Sequence, residues 1–290
     1  MLAERIVERV AARLTRALAP PRTALLPFIV DGHDAGYLAP DRAQRLARMV
    51  DVFTIDAGAL RFVDALASFA ARTRAIRSVN RVLEAEGALS RWRDERYRVS
   101  LSLASPPFFE IERAATRYFG IATHAAHVNA TALRGDELRM WIARRSATKP
   151  LDPGLLDNLV GGGVAAGMSI EDTVVKESRE EACIPPEIAS RARRRGTVKL
   201  FREQFDGIQR ETLHVFDLEL PGDFVPRNED GEVADYRLAT IDDVATWIGD
   251  AEGGNVVTDD ASLVIVDWML RHGRVQQSSP WFAVLESLRG

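Results

Sequence analysis

The sequence has a single cysteine, few lysines and no long apolar run. Cys183 alone cannot form an intramolecular disulfide and cannot build a cysteine-based zinc cluster. Only three lysines, Lys149, Lys176 and Lys199, occur among the 38 basic residues. No apolar run approaches the roughly 18 residues that are needed to cross a bilayer. These absences exclude a disulfide framework and predict that the protein has no membrane partner.

Metal-binding histidine motifs and targeting signals are also missing. The five histidines never fall in a metal-ligand spacing such as H-E-x-x-H. Residues 1–18 are basic, but they carry Glu4 and Glu8 between the arginines. Such a mixture of charges is typical of a soluble amphipathic helix and not of a signal or transit peptide. We therefore expect a cytoplasmic protein.

Length and charge narrow the class further. With 290 residues, the chain suits one large domain or two ordinary ones. Apolar residues make up 46% of the sequence, which is enough for a packed core. The formal net charge is -4, so the main affinity cannot come from a basic field over nucleic acid. We expect no nucleic-acid partner.

Hydrophobic periodicity predicts a mixed α/β first part. We expect helices at residues 1–19, 40–50 and 109–118, a helix-rich stretch at 60–89, and extended segments at 25–32, 53–58 and 91–102. The first helix should end before Pro20 and Pro21. This first part contains no residue spacing that indicates chemistry.

The pattern changes near residue 121, where alternating segments begin. We expect strands at 123–133, 138–146, 197–205, 211–221 and 234–240, and helices at 241–251, 259–272 and 280–289. Gly135 and Asp136 lie at the predicted turn between the first two strands. The arginine run 191–195 is interpreted as the solvated end of a helix.

A glycine-rich loop followed by an acidic helix is the informative segment. Ser169 is well placed as an N-cap, with Asp172 as its capping-box partner. The helix that starts there carries Glu177, Glu180 and Glu181, whose i, i+3 and i+4 spacing places them on one face.

Three carboxylates on one helical face repel one another unless a cation compensates them. Mg²⁺ suits this role, because it prefers oxygen ligands and bridges carboxylates to substrate phosphates. Such a site would polarise a diphosphate and activate a water that attacks phosphorus. The alternative is a solvated acidic face that is balanced by Lys176 and Arg179.

Residues 162–184 resemble the Nudix box, G-x5-E-x7-R-E-U-x-E-E-x-G-U, where U is aliphatic. The matching positions are the first glycine, the three glutamates and the last aliphatic residue, at Gly162, Glu177, Glu180, Glu181 and Ile184.

Four positions depart from that pattern: Met168 for the first glutamate, Lys176 for the arginine, Ser178 for an aliphatic residue and Cys183 for the late glycine. Lys176 keeps the positive charge but lacks the planar fork of arginine. Met168 cannot ligate Mg²⁺, so the site would work without the first glutamate of the box.

The wider sequence resembles one branch of Nudix proteins. Residues 111–130, 149–163 and 217–233 are similar to the Nudix portion of fungal thiamine pyrophosphokinase fusions and to its stand-alone relatives. The resemblance is strongest over residues 91–240, and it includes a preceding conserved domain. No counterpart of the kinase domain is visible.

The resemblance implies a fold, a domain division and an activity. The expected fold is α/β (α+β), a Nudix α/β/α sandwich with a mixed sheet at residues 121–290. A smaller α/β domain at residues 1–120, which would serve as a substrate cap, precedes it. The expected activity is that of a MutT-like diphosphatase that converts thiamine diphosphate, or its oxothiamine and oxythiamine analogues, to the monophosphate plus phosphate.

The resemblance also implies a metal site. Glu177, Glu180 and Glu181 would hold Mg²⁺, or Mn²⁺ as a substitute, and one of them would serve as general base. The carbonyl group of Gly162 is a further expected ligand. Glu232 is a candidate for the glutamate that many Nudix enzymes add from a later loop; the alternative is that it only flanks a turn at residues 230–231.

Candidate substrate contacts are His127, Asn129 and Trp141 on the predicted strands, each of which also suits a core role. The candidates for binding phosphate are Arg145, Lys149, Arg202 and Arg210. The expected partner is a small-molecule diphosphate substrate, and a homodimer is among the assemblies that the sequence allows.

Two other hypotheses remain open. The first is the same chemistry on ADP-ribose, a dinucleotide or a nucleotide sugar, because the box recognises the diphosphate and not the group attached to it. The second is a Nudix-fold module that binds a ligand without hydrolysis. Met168, Lys176 and Cys183 favour this module, whereas the retention of all three glutamates opposes it.

Overall fold

A computed structural model describes residues 1–89, 92–229, 231–250 and 252–289. The first part of the chain forms α1 (Glu4–Ala17), β1 (Leu26–Val30), β2 (His33–Leu38), α2 (Pro40–Ala47), β3 (Phe53–Asp56), β4 (Ala59–Phe62), α3 (Phe69–Ala85), β5 (Arg96–Val99) and β6 (Phe109–Glu112). Strands β1 to β4 form a sheet in the order β2-β1-β4-β3, and β5 and β6 form an antiparallel hairpin.

The second part begins with β7 (Ala122–Arg134), β8 (Glu137–Arg145), β9 (Leu156–Asn158), β10 (Val160–Gly163), α4 (Ile170–Ala182) and α5 (Pro186–Ala189). It continues with β11 (Arg193–Gln204), β12 (Gly207–Glu219), β13 (Val233–Thr240), α6 (Ile241–Gly249), α7 (Asp259–Arg271) and α8 (Phe282–Ser287). None of the helices in the described ranges is long and apolar enough to cross a membrane.

The second part is built on a seven-stranded mixed sheet. Five strands follow the order β11-β12-β7-β8-β13, while β10 pairs with β7 and β9 pairs with β8. Strand β12 runs parallel to β7, and the other pairs are antiparallel. This is the expected mixed α/β architecture, with a central sheet between helical layers.

Strand β7 shows how the sheet separates two cores. Successive side chains of a strand point to opposite faces. Ala125 packs with the core that holds α6 and α7, whereas Ala126 and Val128 pack under Val174 of α4. The helix α4 is thereby fixed on one face, directly beside the short strand β10.

The first helix is exceptional, because it does not pack with the sheet of the N-terminal part. Val7, Val10 and Leu14 of α1 are buried in the core formed with α6 and α7. Arg13 donates to the carbonyl oxygens of Ile248 and Val257. The chain thus contributes one helix to the second core before it builds the first sheet.

The remaining N-terminal core is aromatic. Phe28 lies 5.2 Å from Phe62 and 5.9 Å from Phe109, ring centroid to centroid, and 6.0 Å from both Phe53 and Phe119. Burial of such rings is the main stabilising term in a small domain of this kind. The core therefore fixes the β5–β6 hairpin, which carries Phe109.

Most predicted strands and helices of the second part are confirmed. The helix-rich stretch 60–89 contains α3, which starts only at Phe69, because residues 59–62 form β4. Two other predictions are wrong. The segment 109–118 is not a helix, since its first four residues pair with β5. The arginine run 191–195 does not end a helix, because β11 begins at Arg193 and pairs with β12.

Candidate active site

The acidic helix begins at a side-chain cap, as predicted. The hydroxyl oxygen of Ser169 accepts a hydrogen bond from the Asp172 amide at 3.0 Å and donates one to the Asp172 carboxylate at 2.6 Å. The aspartate also places negative charge at the helix N-terminus, where the helix dipole favours it. This cap defines where the helix starts, and so which residues face the neighbouring strand β10.

Two glutamates of α4 lie directly against the glycines of β10. The Gly161 amide donates to the Glu181 carboxylate at 2.9 Å. The Glu177 side chain covers Gly162 so closely that a Cβ atom at that position would overlap it. Glycine at position 162 is therefore required by the close approach of the Glu177 side chain.

Lysine ammonium groups neutralise the glutamates. Lys176 donates to Glu177 at 2.9 Å and to Glu180 at 2.8 Å. Lys149 forms an ion pair with Glu232 and lies 3.7 Å from a carboxylate oxygen of Glu181. We call these six residues the acidic cluster: Glu177, Glu180, Glu181, Glu232, Lys149 and Lys176.

Backbone hydrogen bonds tie the later loop, which carries Glu232, to α4 and to the end of β8. The Glu229 amide donates to the carbonyl oxygen of Glu180, and the Ser146 amide donates to that of Glu232. These bonds run the loop along the C-terminal half of α4 and bring Glu232 to Lys149. The alternative for Glu232 was that it flanks a turn at residues 230–231. Residue 230 lies outside the described ranges.

Burial controls the electrostatics of the acidic cluster. It raises the pKa of Glu181 to about 8, although Lys149 and the Gly161 amide oppose the shift. Burial also raises the pKa of Glu177 above its ordinary value, against the effect of Lys176. Although burial disfavours the charge of Lys176, the hydrogen bonds that it donates to Glu180 and Glu177 raise its pKa. At Glu177 and Glu181, the effect of burial on the pKa therefore outweighs that of the nearby lysines.

The donor chemistry fits a hard divalent cation. Within the described ranges, no three His, Cys, Asp or Glu side chains stand close enough to form a ready metal cage. The available donors are carboxylate and carbonyl oxygens, which Mg²⁺ prefers. A cation beside Glu177 and Glu181 would relieve the burial cost that raises the pKa of both groups.

A cleft opens beside β10, at the junction of the two parts of the chain. It encloses about 160 Å³. Residues from both parts line it, among them Tyr97, Arg113, Arg117, Gly161–Gly163, Arg210 and Glu211. The cleft therefore adjoins the glycines against which Glu177 and Glu181 pack.

Charged groups of both signs line the cleft. Arg145 pairs with Asp157 at 2.7 Å, and Arg117 pairs with Asp206 at 3.4 Å. Asp152 and Glu211 also line the cleft, and neither is ion-paired to any described residue. Glu211 accepts hydrogen bonds from Thr123 and Gln209, and burial raises the pKa of Asp152.

The structure separates the predicted substrate contacts into two groups. His127 and Arg145 line the cleft, as does Arg210. Asn129 is fully enclosed and bonds to Asp217, Asn158 and the Val264 carbonyl, so it supports the sheet.

The other candidates lie elsewhere. Trp141 is buried in the core under α4, so it does not reach the cleft. Lys149 lies in the acidic cluster and not among the residues of the cleft. Arg202 pairs with Asp259 and Asp260, which holds α7 in place.

Three cleft residues, Tyr97, Arg113 and Glu211, had no signal in the sequence. Burial raises the pKa of Tyr97, so its hydroxyl keeps its proton. Burial opposes the charge of Arg113, but Tyr97 and Glu95 raise its pKa, so the guanidinium stays charged. No local motif contains these residues, because the tertiary fold alone brings them to the glycines.

Two known families match successive parts of the chain. Residues 123–259 match the NUDIX domain, and residues 9–123 match a domain of unknown function (DUF4743). The chain is 37% identical to Nudix hydrolase 24, chloroplastic, of Arabidopsis thaliana, over 89% of this chain and 70% of the relative. It is 35% identical to Nudix hydrolase 20, chloroplastic, of the same plant, over 91% of this chain and 72% of the relative.

A solved structure aligns with part of this chain. A crystal structure of a Deinococcus radiodurans protein aligns with a TM-score of 0.44 and 24% identity, over 59% of this chain and 97% of that one.

Proposed function

Because the chain belongs to the Nudix hydrolases and acts on pyrophosphate bonds, we propose that it hydrolyses thiamine diphosphate or its oxothiamine and oxythiamine analogues. The products would be the monophosphate and phosphate. The observation that carries the hydrolytic part is the contact of Glu177 and Glu181 with Gly162 and Gly161. This contact supports a role for both carboxylates, because the two glycines line the cleft that would receive the substrate.

We propose Mg²⁺ as the metal, with Mn²⁺ as a substitute. Glu177, Glu180 and Glu181 would hold it together with Glu232 and the Gly162 carbonyl group. When bound, the metal supplies charge stabilisation at the phosphoryl oxygens and lowers the pKa of a water ligand.

The chain's own residues position the groups and move the proton. The Gly161 amide fixes the Glu181 carboxylate at 2.9 Å, and Lys176 holds Glu177 and Glu180. A carboxylate of the acidic cluster would accept the proton of the attacking water as the new P–O bond forms. The bridging P–O bond then breaks, and its electron pair leaves with the monophosphate.

Two carboxylates without an ion pair among the described residues favour a substrate with a cationic, thiamine-type organic group. Asp152 and Glu211 lie in the cleft without an ion pair among the described residues. The thiazolium ring of thiamine is cationic, so carboxylates at this place would attract it. The adenine and sugar groups of ADP-ribose carry no such charge. The substrate class therefore rests on Glu211 and Asp152, whereas hydrolysis rests on the acidic cluster.

A release assay on a substrate panel tests both parts. The panel contains thiamine, oxythiamine and oxothiamine diphosphates, ADP-ribose and NADH, each with Mg²⁺. We expect preferential release from the thiamine compounds, and a loss of about 100-fold or more in Glu181→Gln. Oxothiamine has an uncharged ring, so Glu211→Gln should reduce the rate for thiamine diphosphate more than the rate for oxothiamine diphosphate.

Other outcomes point to the two competing hypotheses. Release from ADP-ribose or NADH alone, still dependent on Glu181, would keep the site and reject the thiamine substrate. Tight binding of one compound without release from any would identify a binding module instead. The Glu203→Gln variant, which removes an exposed glutamate of β11, is the control for unspecific loss of charge.

A further inference from the structure

We propose that the N-terminal part supplies two substrate-contacting residues to the active site, Tyr97 and Arg113, which bind phosphoryl oxygens of the substrate. The inference rests on the proposed hydrolytic site and adds the side of the cleft that the NUDIX domain does not provide. Both residues lie before residue 123, where the match to that domain begins.

Tyr97 points its hydroxyl group at the glycine strand. The side chain lies on β5 and is 5% exposed. Its hydroxyl oxygen lies so close to Gly163 that a Cβ atom there would overlap it. Gly163 follows Gly162, which the Glu177 side chain covers. The hydroxyl group therefore lies at the edge of the cleft, one residue from the acidic cluster.

The Tyr97 hydroxyl group has no hydrogen-bond partner in the part of the chain that the structure describes. The ring makes a cation–π contact with Arg113, and the residue lines the cleft. The tyrosine ring is buried, and the hydroxyl groups of tyrosines that are buried to this extent normally find a partner. Since the hydroxyl faces the cleft, its partner is an atom that enters the cleft.

Arg113 provides the charge that complements this donor. Its guanidinium carbon lies 5.8 Å from the centre of the Tyr97 ring, and one nitrogen donates to Glu95 at 2.7 Å. The side chain remains 41% exposed, because it faces the cleft. A guanidinium has five N–H donors, so several are available after the bond to Glu95.

The hairpin that carries Tyr97 is fixed to the site by backbone bonds. The Ala166 amide, in the loop after β10, donates to the Arg96 carbonyl at 2.7 Å. The Arg113 amide donates to the Glu95 carbonyl at 2.8 Å, at the other end of the hairpin. Both side chains are therefore held in place before a substrate arrives, and little ordering entropy is lost on binding.

The donor set identifies the ligand atoms. A guanidinium group has only hydrogen-bond donors, and a phenol O–H group that faces an anion can only donate to it. Phosphoryl oxygens are acceptors with negative charge, and they must lie near Glu177 for hydrolysis. A diphosphate at this place would satisfy Tyr97 and Arg113 together.

Removal of single groups tests the proposal in the full chain. The variants are Tyr97→Phe and Arg113→Gln, and Tyr118→Phe is the matched control. Tyr118 is a tyrosine of the same part of the chain with the same 5% exposure, but it lies outside the cleft. The readouts are kcat/KM with Mg²⁺ and the calorimetric affinity for methylenediphosphonate, which the enzyme cannot hydrolyse.

We expect Tyr97→Phe and Arg113→Gln each to lower kcat/KM by roughly 10- to 100-fold, the range of a hydrogen bond to a charged group. The affinity for methylenediphosphonate should fall in parallel, while the melting temperature of Tyr97→Phe stays near that of the wild type. Tyr118→Phe should change neither kcat/KM nor the affinity by more than about twofold.

The outcomes separate this inference from the proposed function. Unchanged kinetics and affinity in Tyr97→Phe and Arg113→Gln would overturn the inference, and loss of activity in Glu181→Gln would still uphold the hydrolytic site. Equal losses in Tyr97→Phe and Tyr118→Phe would show a structural effect and would also overturn it. An active Glu181→Gln variant would reject the site itself.

Discussion

Two polar regions of the same domain differ in how their buried charges are compensated. The first is the acidic cluster on α4. The second, which we call the asparagine network, consists of His127, Asn129, Asn158, Asp217 and Arg271. Both lie beside β7, and both bury groups that would prefer water.

The asparagine network is satisfied by the protein itself. Asn158 contacts the His127 ring nitrogen at 3.0 Å and donates to Asn129 at 3.1 Å. Arg271 donates two hydrogen bonds to Asp217, at 2.6 and 2.9 Å, in the fork geometry of a strong pair. Each of these polar groups has a partner that is fixed by the sheet or by α7.

The acidic cluster is not satisfied to the same degree. Burial raises the pKa of Glu181 to about 8 despite Lys149, whose ammonium lies 3.7 Å away. Groups with a shifted pKa beside a cleft are typical of functional sites, whereas a fully hydrogen-bonded network is typical of a region that stabilises the fold. We therefore expect mutations in the acidic cluster to affect hydrolysis and mutations in the asparagine network to affect the free energy of unfolding.

Removal of Arg271 should give the largest loss of stability. Arg271→Met leaves the Asp217 and Asp267 side chains, 12% and 5% exposed, without their shared cation. Arg195 and Arg289 remain as partners, so we expect a loss of about 2–3 kcal/mol in the free energy of unfolding. Urea unfolding of the variant and the wild type measures it.

The matching variant in the acidic cluster is Glu181→Gln, which removes a buried charge. It should lose hydrolysis but keep its urea midpoint, while Arg271→Met should keep kcat under conditions where it is folded. A Glu181→Gln variant that is as unstable as Arg271→Met would show that both regions are structural, and the contrast between them would disappear.

A pair of stacked histidines offers a further test of how burial changes a pKa, through the pH dependence of stability. His124 and His214 stack, with ring nitrogens 3.1 Å apart, and Arg194 donates to the other nitrogen of His214 at 2.7 Å. Burial, His124 and Arg194 lower the pKa of His214 from 6.5 to about 4. Burial and Arg194 lower the pKa of His124 as well.

The sign of the stability change follows from these shifts. Between pH 6.5 and about 4, the unfolded chain binds a proton at His214 that the folded chain does not bind. The free energy of unfolding should therefore fall as the pH falls through this window, by up to about 1.4 kcal/mol per pH unit for this group. In His214→Gln the decline between pH 6.5 and 5 should be shallower than in the wild type. Equal slopes would show that the histidine is not neutral in the fold.

The sequence predicted that Glu177, Glu180 and Glu181 share one helix face, because they lie in one motif. The strands β7 and β8 were also predictable, although the structure buries their central residues continuously and not alternately. The cleft was not predictable, because Tyr97 and Glu211 reach it from strands that are distant in the sequence.

The wrong helix at 109–118 shows why local pattern fails in the N-terminal part. Its apolar spacing suits a helix, but Phe109 and Ile111 gain more by burial beside Phe28. Pairing of Phe109 with Val99 then fixes an extended backbone. For Asn129 the sequence left a substrate contact and a core role open, and the structure gives it the core role.

The smallest expected effect concerns the end of the acidic helix. Cys183 is left-handed, with φ of 49°, at the position where the Nudix box has glycine. A residue with a Cβ atom is strained there, whereas glycine is not. Cys183→Gly should therefore raise the free energy of unfolding by about 0.5–1 kcal/mol.

The control is Cys183→Ala, which removes the thiol group but keeps the Cβ atom and the strain. A gain in Cys183→Gly that is absent from Cys183→Ala would assign the effect to the backbone, as measured by the urea midpoint. A similar gain in both variants would assign it to the sulfur atom instead. The first result would also identify the late glycine of the box as the residue that ends the helix. Its replacement by Cys183 would then change the stability of α4 without moving the glutamates.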